Sequence, residues 1–120
     1  MSKLLIAVVE DDESVLEALE SLLESAGYAV LLHLSAEELL ASDRLHEVKF
    51  LITDVGLSGM SGIELLRTIR ARKTDIPAIV ITARGEPALR QAAIDAGANH
   101  LFLKPLDNVR LLQAIEAARQ

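Results

Sequence analysis

The chain has 120 residues, 51% of them hydrophobic, no cysteine and a net charge of −6. That length fits one domain over residues 1–120, and the absence of cysteine excludes a disulfide framework, a cysteine zinc site and a thiol nucleophile. The acidic balance, 12 basic against 18 acidic residues with three aromatics, argues against direct nucleic-acid binding.

The apolar pattern alternates between two textures. Residues 3–9 form a short apolar run that reads as a strand. It is far shorter than the ~20 residues of a membrane span and too short for a signal peptide, so a cytoplasmic location is expected. Val15, Leu19, Leu22, Leu23 and Ala26 then recur at helical spacing. Glu13, Glu17, Glu20 and Glu24 lie on another face of that helix, which reads as solvated rather than as a kinase-docking surface. Gly27 follows, where a left-handed C-cap favours glycine. Residues 28–32 read as the second strand, and Ser35-Ala36-Glu37-Glu38 fits a capping box opening a helix. Residues 49–53 are the third strand. Ser61-Gly62-Ile63-Glu64 is a second capping box, leading into a helix with Leu65, Leu66 and Ile69 inward and Arg67, Arg70, Arg72 and Lys73 outward. Residues 78–82 are the fourth strand. Pro87 opens a helix carrying Leu89, Ala92, Ala93 and Ala96, which Gly97 ends. Residues 100–103 are the fifth strand, and Asp107 caps a last helix with Leu111, Leu112, Ile115 and Ala118 on its core side. Five βα units with near-continuous apolar strands predict an α/β fold: a doubly wound, five-stranded parallel sheet, (βα)5 and flavodoxin-like, with helices on both faces.

In such a sheet, ligands bind beyond the carboxyl ends of the strands. Glu10-Asp11-Asp12-Glu13 follows the first strand, Asp54 the third, Ala83 the Thr82 that ends the fourth, and Lys104-Pro105 the fifth. Crowded carboxylates raise each other's pKa unless a cation sits among them, and Mg2+ with its oxygen ligands meets that need. Phosphoryl transfer uses the same parts, and a carboxylate can be its nucleophile. Asp54, alone at the end of Phe50-Leu51-Ile52-Thr53 and followed by glycines at 56, 59 and 62, is the candidate acceptor. Asp12 and Glu13 equally suit the positive end of a helix. His33, His46 and His100 form no ligand pattern.

These residues carry a resemblance over essentially the whole chain. Val8-Val9-Glu10-Asp11-Asp12, Thr53-Asp54-Val55 with Gly62 beyond, Ile79-Val80-Ile81-Thr82-Ala83 and Lys104-Pro105 resemble the receiver domain of two-component response regulators, with a chemotaxis-regulator-like fold. Residues 28–40 and the positions of Asp54 and Lys104 resemble its nitrogen-fixation-regulator type. The resemblance implies that Asp54 accepts a phosphoryl group from the phosphohistidine of a sensor histidine kinase or phosphotransfer protein in a phosphorelay. It implies Mg2+ ligated by Asp11, Asp54 and the Gly56 carbonyl, with Glu10 holding it through water. Thr82 and Lys104 would bind phosphoryl oxygens, Ala83 would leave them room, and Lys104-Pro105 would be cis. The output face would lie in residues 86–120, the fourth helix, fifth strand and fifth helix, where partners dock or a homodimer forms. The chain would catalyse only its own phosphorylation and dephosphorylation. Full-length members of the nitrogen-fixation type carry a DNA-binding domain; beginning at Met1 and ending at Gln120, this chain reads as an N-terminal domain or a stand-alone regulator.

Four positions depart from the family pattern. Glu10 replaces aspartate. Ser58 replaces a proline that stiffens the loop. Leu101 replaces the aromatic switch residue. Arg84 sits two residues beyond Thr82, where a long cation could shield the phosphoryl group from water. A haloacid-dehalogenase-like phosphatase is disfavoured, because its second acid would fall at Gly56. A receiver-like interaction module that works without phosphorylation is the alternative reading.

Overall fold

The computed structural model describes residues 3–72 and 75–118. Lys73 of the basic run and the last two residues of the 86–120 face lie outside the described residues, as do Met1, Ser2 and Thr74.

The chain folds as β1 (Leu5–Val9), α1 (Glu13–Ser25), β2 (Ala29–His33), α2 (Ala36–Leu40), a 3-10 turn (Leu45–Glu47), β3 (Phe50–Asp54), α3 (Gly62–Ala71), β4 (Ala78–Thr82), α4 (Pro87–Asp95), β5 (His100–Leu103) and α5 (Asn108–Ala118). All four strand pairings are parallel, and the order across the sheet is β2-β1-β3-β4-β5. Strands alternate their side chains between faces, so the sheet divides the interior in two. On one side Ala7, Val9, Leu51, Ala78 and Val80 meet α2, α3 and α4 through Leu39, Leu65, Leu66, Ile69 and Ala93. On the other, Ile6, Val8, Ile52, Ile79 and Ile81 meet α1 and α5 through Leu19, Leu23, Leu111 and Ile115. β1, β3 and β4 are buried along their whole length, which is why they read as unbroken apolar runs.

The helix ends follow local chemistry. Both Gly27 and Gly97 have positive φ, and each closes a Schellman turn: the Tyr28 N–H donates to Leu23 O and the Ala98 N–H to Ala93 O. Ser61 and Glu64 complete a capping box on α3. At α2 the box is only half formed: Ser35 accepts from the Glu38 N–H, but the Glu38 carboxylate reaches the Leu34 N–H instead. The Asp107 carboxylate accepts from the Arg110 N–H at the start of α5.

Several bounds differ from the expected ones. β1 begins at Leu5, not at residue 3, although Leu4 O still accepts from the Ala29 N–H. β3 runs one residue later than expected, so Asp54 is its last member, paired with Ile81. The inward stripe of α1 is Leu16, Leu19 and Leu23; Val15 and Leu22 flank it and Ala26 is exposed. α5 also buries Ala114, which the pattern of Leu111, Leu112 and Ile115 left out.

Candidate functional site

β1 ends at Val9, and the next residue, Glu10, continues the ladder by donating its N–H to His33 O at 3.1 Å. This places the Glu10 side chain at the sheet's carboxyl edge with only 1% of its surface exposed. Asp11 lies exposed beyond it, and Asp12 turns away to cap α1, its Oδ1 accepting from the Ser14 and Val15 N–H groups. The strand end and the cap together bring the carboxylates of Glu10 and Asp11, and not that of Asp12, close to Asp54. The Ser14 hydroxyl donates to the same Asp12 oxygen at 2.7 Å, and this bond, with those from the two N–H groups, holds the Asp12 carboxyl below its usual value.

Asp54, 7% exposed, projects from the end of β3. Its backbone is tightly enclosed, because a Cβ on Gly62 would collide with the Asp54 carbonyl oxygen. Only glycine therefore lets α3 start this close behind the strand. Glu10, Asp11 and Asp54 each bring a carboxylate oxygen within 4.8 Å of the others.

Lys104 enters this cluster from the far end of the sheet, its N–H donating to Thr82 O. Its ammonium lies 3.0 and 3.3 Å from the two Glu10 oxygens and 3.2 Å from Asp54 Oδ2. Burial pushes the Glu10 carboxyl upward; the hydrogen bond from Lys104 opposes this without cancelling it, and the Asp54 charge adds to it. At Lys104 partial burial favours the neutral amine, but the Glu10 hydrogen bond and the charges of Asp54 and Glu10 outweigh it, so its pKa is raised. The ammonium is the counterion of the site. Lys104–Pro105 is cis.

Thr82 is 3% exposed, and its hydroxyl accepts the Arg84 N–H at 3.0 Å. A cavity of about 370 Å³ opens between Asp54, Gly56, Thr82, Ala83, Arg84 and Lys104. Ala83 stands exposed at its rim, and the Arg84 guanidinium lies 3.8 Å from Glu86. Gly56 is exposed in the loop after β3, with nothing near the place of a side chain. Leu101 is already half-buried against the α2–α3–α4 side of the core.

Two features were not expected from the sequence. Lys104 pairs with both oxygens of Glu10 across 94 positions. Glu37 on α2 accepts the Met60 N–H at 2.9 Å, tying α2 to the loop behind Asp54. Neither pairing leaves a signal in local spacing; Glu37, one of two exposed acids in the first turn of a short helix, looks like a dipole partner.

Residues 6–116 match the family described as the response regulator receiver domain. The transcriptional regulatory protein FixJ of Rhizobium meliloti (strain 1021) is 37% identical over 120 residues, covering 100% of this chain and 59% of that protein. The response regulator protein TodT of Pseudomonas putida (strain F1) is 38% identical over 113 residues, 94% of this chain and 50% of its own length. The chain thus spans little more than half the length of these relatives. The crystal structure of FixJ-N superposes with a TM-score of 0.86 at 38% identity, covering 98% and 94% of the two chains. A CheY-like receiver domain from Methanospirillum hungatei JF-1 gives a TM-score of 0.88 at 27% identity, covering 97% and 93%.

Proposed function

The chain belongs to the response regulator receiver domain family, and from that premise we propose that it is a phosphorylation-dependent signalling switch with Asp54 as phosphoacceptor. One juxtaposition carries this reading: the Lys104 ammonium bridges Glu10 and Asp54 beside Asp11, at the carboxyl edge of a parallel sheet. The clustered oxygens suit Mg2+, with Asp11, Asp54 and the Gly56 carbonyl as ligands and Glu10 holding it through water. Bound there, Mg2+ would neutralise charge on the phosphoryl oxygens.

The chain's own residues do the rest. A carboxylate oxygen of Asp54 attacks the phosphorus of a phosphohistidine on a sensor histidine kinase or phosphotransfer protein. The O–P bond forms as the P–N bond breaks, and the imidazole leaves with the electron pair and takes up a proton. Lys104, already 3.2 Å from Asp54, pairs with a phosphoryl oxygen. The Thr82 oxygen accepts from Arg84, so its own proton is available to a second phosphoryl oxygen. Water later attacks the phosphorus, its oxygen forming a new O–P bond as the bond to Asp54 breaks, which releases inorganic phosphate and returns the Asp54 carboxylate. The chain acts only on itself and is not an enzyme for other substrates.

The phosphoryl group favours one arrangement of the fourth and fifth βα units, a population shift. The output face is α4, β5 and α5, where exposed Ile94, Leu103 and Val109 support partner docking or a homodimer. Among the described residues no helix is long and apolar enough to cross a membrane, and we place the protein in the cytoplasm. FixJ is a transcriptional regulatory protein; we infer an effector of that kind as the output, with no nucleic-acid contact by this domain itself.

The test is intact-mass spectrometry after incubation with acetyl phosphate, with and without Mg2+, on wild type and Asp54→Asn. One added phosphoryl group requiring both Mg2+ and Asp54 is expected. No adduct, together with no beryllofluoride binding, would leave a receiver-shaped interaction module that works without phosphorylation.

A further inference from the structure

We propose that Glu37 is a positioning residue for the metal-binding side of the site, acting through the loop that joins β3 to α3. The inference rests on the reading of Glu10, Asp11, Asp54 and Gly56 as the metal-binding set.

The loop leaves β3 at Asp54, carries Gly56 and enters α3 at Gly62. Its first part is held by backbone bonds: the Val55 N–H to Ile81 O, and the Leu57 and Gly62 N–H groups to Val55 O. Ser58, Gly59 and Met60 make no backbone–backbone hydrogen bond among the described residues. Ser58 gives none of the stiffening that a proline would supply. What holds this stretch is a side chain from another element. Glu37, in the first turn of α2, accepts the Met60 N–H through Oε2 at 2.9 Å.

The loop is shaped to receive that carboxylate. Gly59 has a φ of +78°, and a Cβ there would stand 2.6 Å from Glu37 Oε2. A side chain would therefore both strain the backbone and push the carboxylate off Met60. The Met60 N–H in turn holds the Glu37 carboxyl below its usual value, so the acceptor is the ionised group. Ser35 caps α2 and fixes the turn from which Glu37 reaches out. Gly56 lies exposed between Val55, held by the ladder to β4, and Leu57, buried and bonded to Val55 O. Glu37 adds a tie beyond them, at the stretch of the loop that those backbone bonds do not reach.

The experiment compares wild type, Glu37→Ala and Glu37→Gln by Mg2+ titration and amide NMR. A glutamine oxygen can still accept the Met60 N–H; alanine cannot. Glu37→Ala is expected to weaken Mg2+ binding about three- to fivefold, the scale of one exposed charge-assisted hydrogen bond. The Met60 amide should exchange faster and the Gly56 amide should shift, while the thermal midpoint stays near wild type. Glu37→Gln should restore most of the affinity. Glu37→Ala binding Mg2+ as wild type does would overturn the proposal. So would Glu37→Gln losing as much as Glu37→Ala, since the effect would then be one of charge at a distance. Wild type that binds no Mg2+ would instead overturn the metal-site reading, and this inference with it, whatever the Met60 amide does.

Discussion

Lys104→Met tests the electrostatics of the site directly. The substitution keeps the unbranched stem of the side chain and removes the terminal ammonium, leaving Glu10, 1% exposed, beside Asp54 without a cation. At an effective dielectric of about 20, a unit ion pair at the observed 3.0 Å has a gross energy of about 5–6 kcal/mol. A quarter of the Lys104 side chain is in contact with water and the lysine pays desolvation and rotamer entropy, which leaves a net loss of about 2 kcal/mol. For a domain of this size that lowers the thermal midpoint by about 6–8 °C. The assay is urea and thermal unfolding in metal-free buffer on wild type, Lys104→Met and the double variant with Glu10→Gln. The double variant should recover most of the loss, because the stranded charge is gone. The loss should also depend on pH with a definite sign. Without Lys104 the Glu10 carboxyl rises further above its usual 4.5, so the folded state binds this proton more tightly than the unfolded chain does. The penalty is then absent below that value, grows as pH rises through the raised Glu10 pKa and is constant above it. Mg2+ at ten times its Kd adds about 1.4 kcal/mol to wild type by mass action, and more to Lys104→Met, where no ammonium competes for the same carboxylates. Lys104→Met as stable as wild type at pH 7, or no recovery on adding Glu10→Gln, would refute this account.

Gly62→Ala should destabilise the fold by about 2–3 kcal/mol, because its Cβ meets the Asp54 carbonyl and the start of α3 must move. Urea unfolding checks this, and phosphoryl uptake should fall by more than the unfolded fraction explains. Arg84→Ala should shorten the lifetime of phospho-Asp54 by no more than about fivefold, since an exposed guanidinium contributes at most about 1 kcal/mol. The decay is followed by intact mass after acetyl phosphate is removed, and an unchanged lifetime would sink the idea that Arg84 shields the site from water.

The sequence was most readable where local rules act alone. Apolar runs marked β1, β3 and β4 because both their faces are covered, and Gly27, Gly97, Ser61 and Asp107 marked helix ends because caps are short-range hydrogen-bonding problems. The 3-10 turn at Leu45–Glu47 escaped, having no periodicity of its own. The stripe of α1 differs at its start, Leu16 in place of Val15, because both are apolar and only packing chooses between them. Choosing among Glu10, Asp11 and Asp12 needed the end of β1 and the cap of α1 to be known together. The site was legible as a set of residue types at strand ends. Its pairings were not: Lys104 with Glu10, and Glu37 with Met60, join residues far apart in sequence, and composition does not say which acid a given cation reaches. Leu101, which stands where the family has an aromatic, is half-buried against the α2–α3–α4 side of the core, a contact its position in the sequence did not reveal.

The thin anchorage of α4 has a consequence for how such a chain can change. Of its nine residues, Pro87–Asp95, Ala93 is the one fully buried, and β5 beside it is covered only in its middle. Asp54, in contrast, stands on strands sealed on both sides. Substitutions across α4 and the outer surface of β5 therefore cost little folding energy, whereas almost any change beneath Asp54 costs a good deal. Under the proposed switch, a lineage carrying this chain can trade one listener for another while its means of being addressed stays the same.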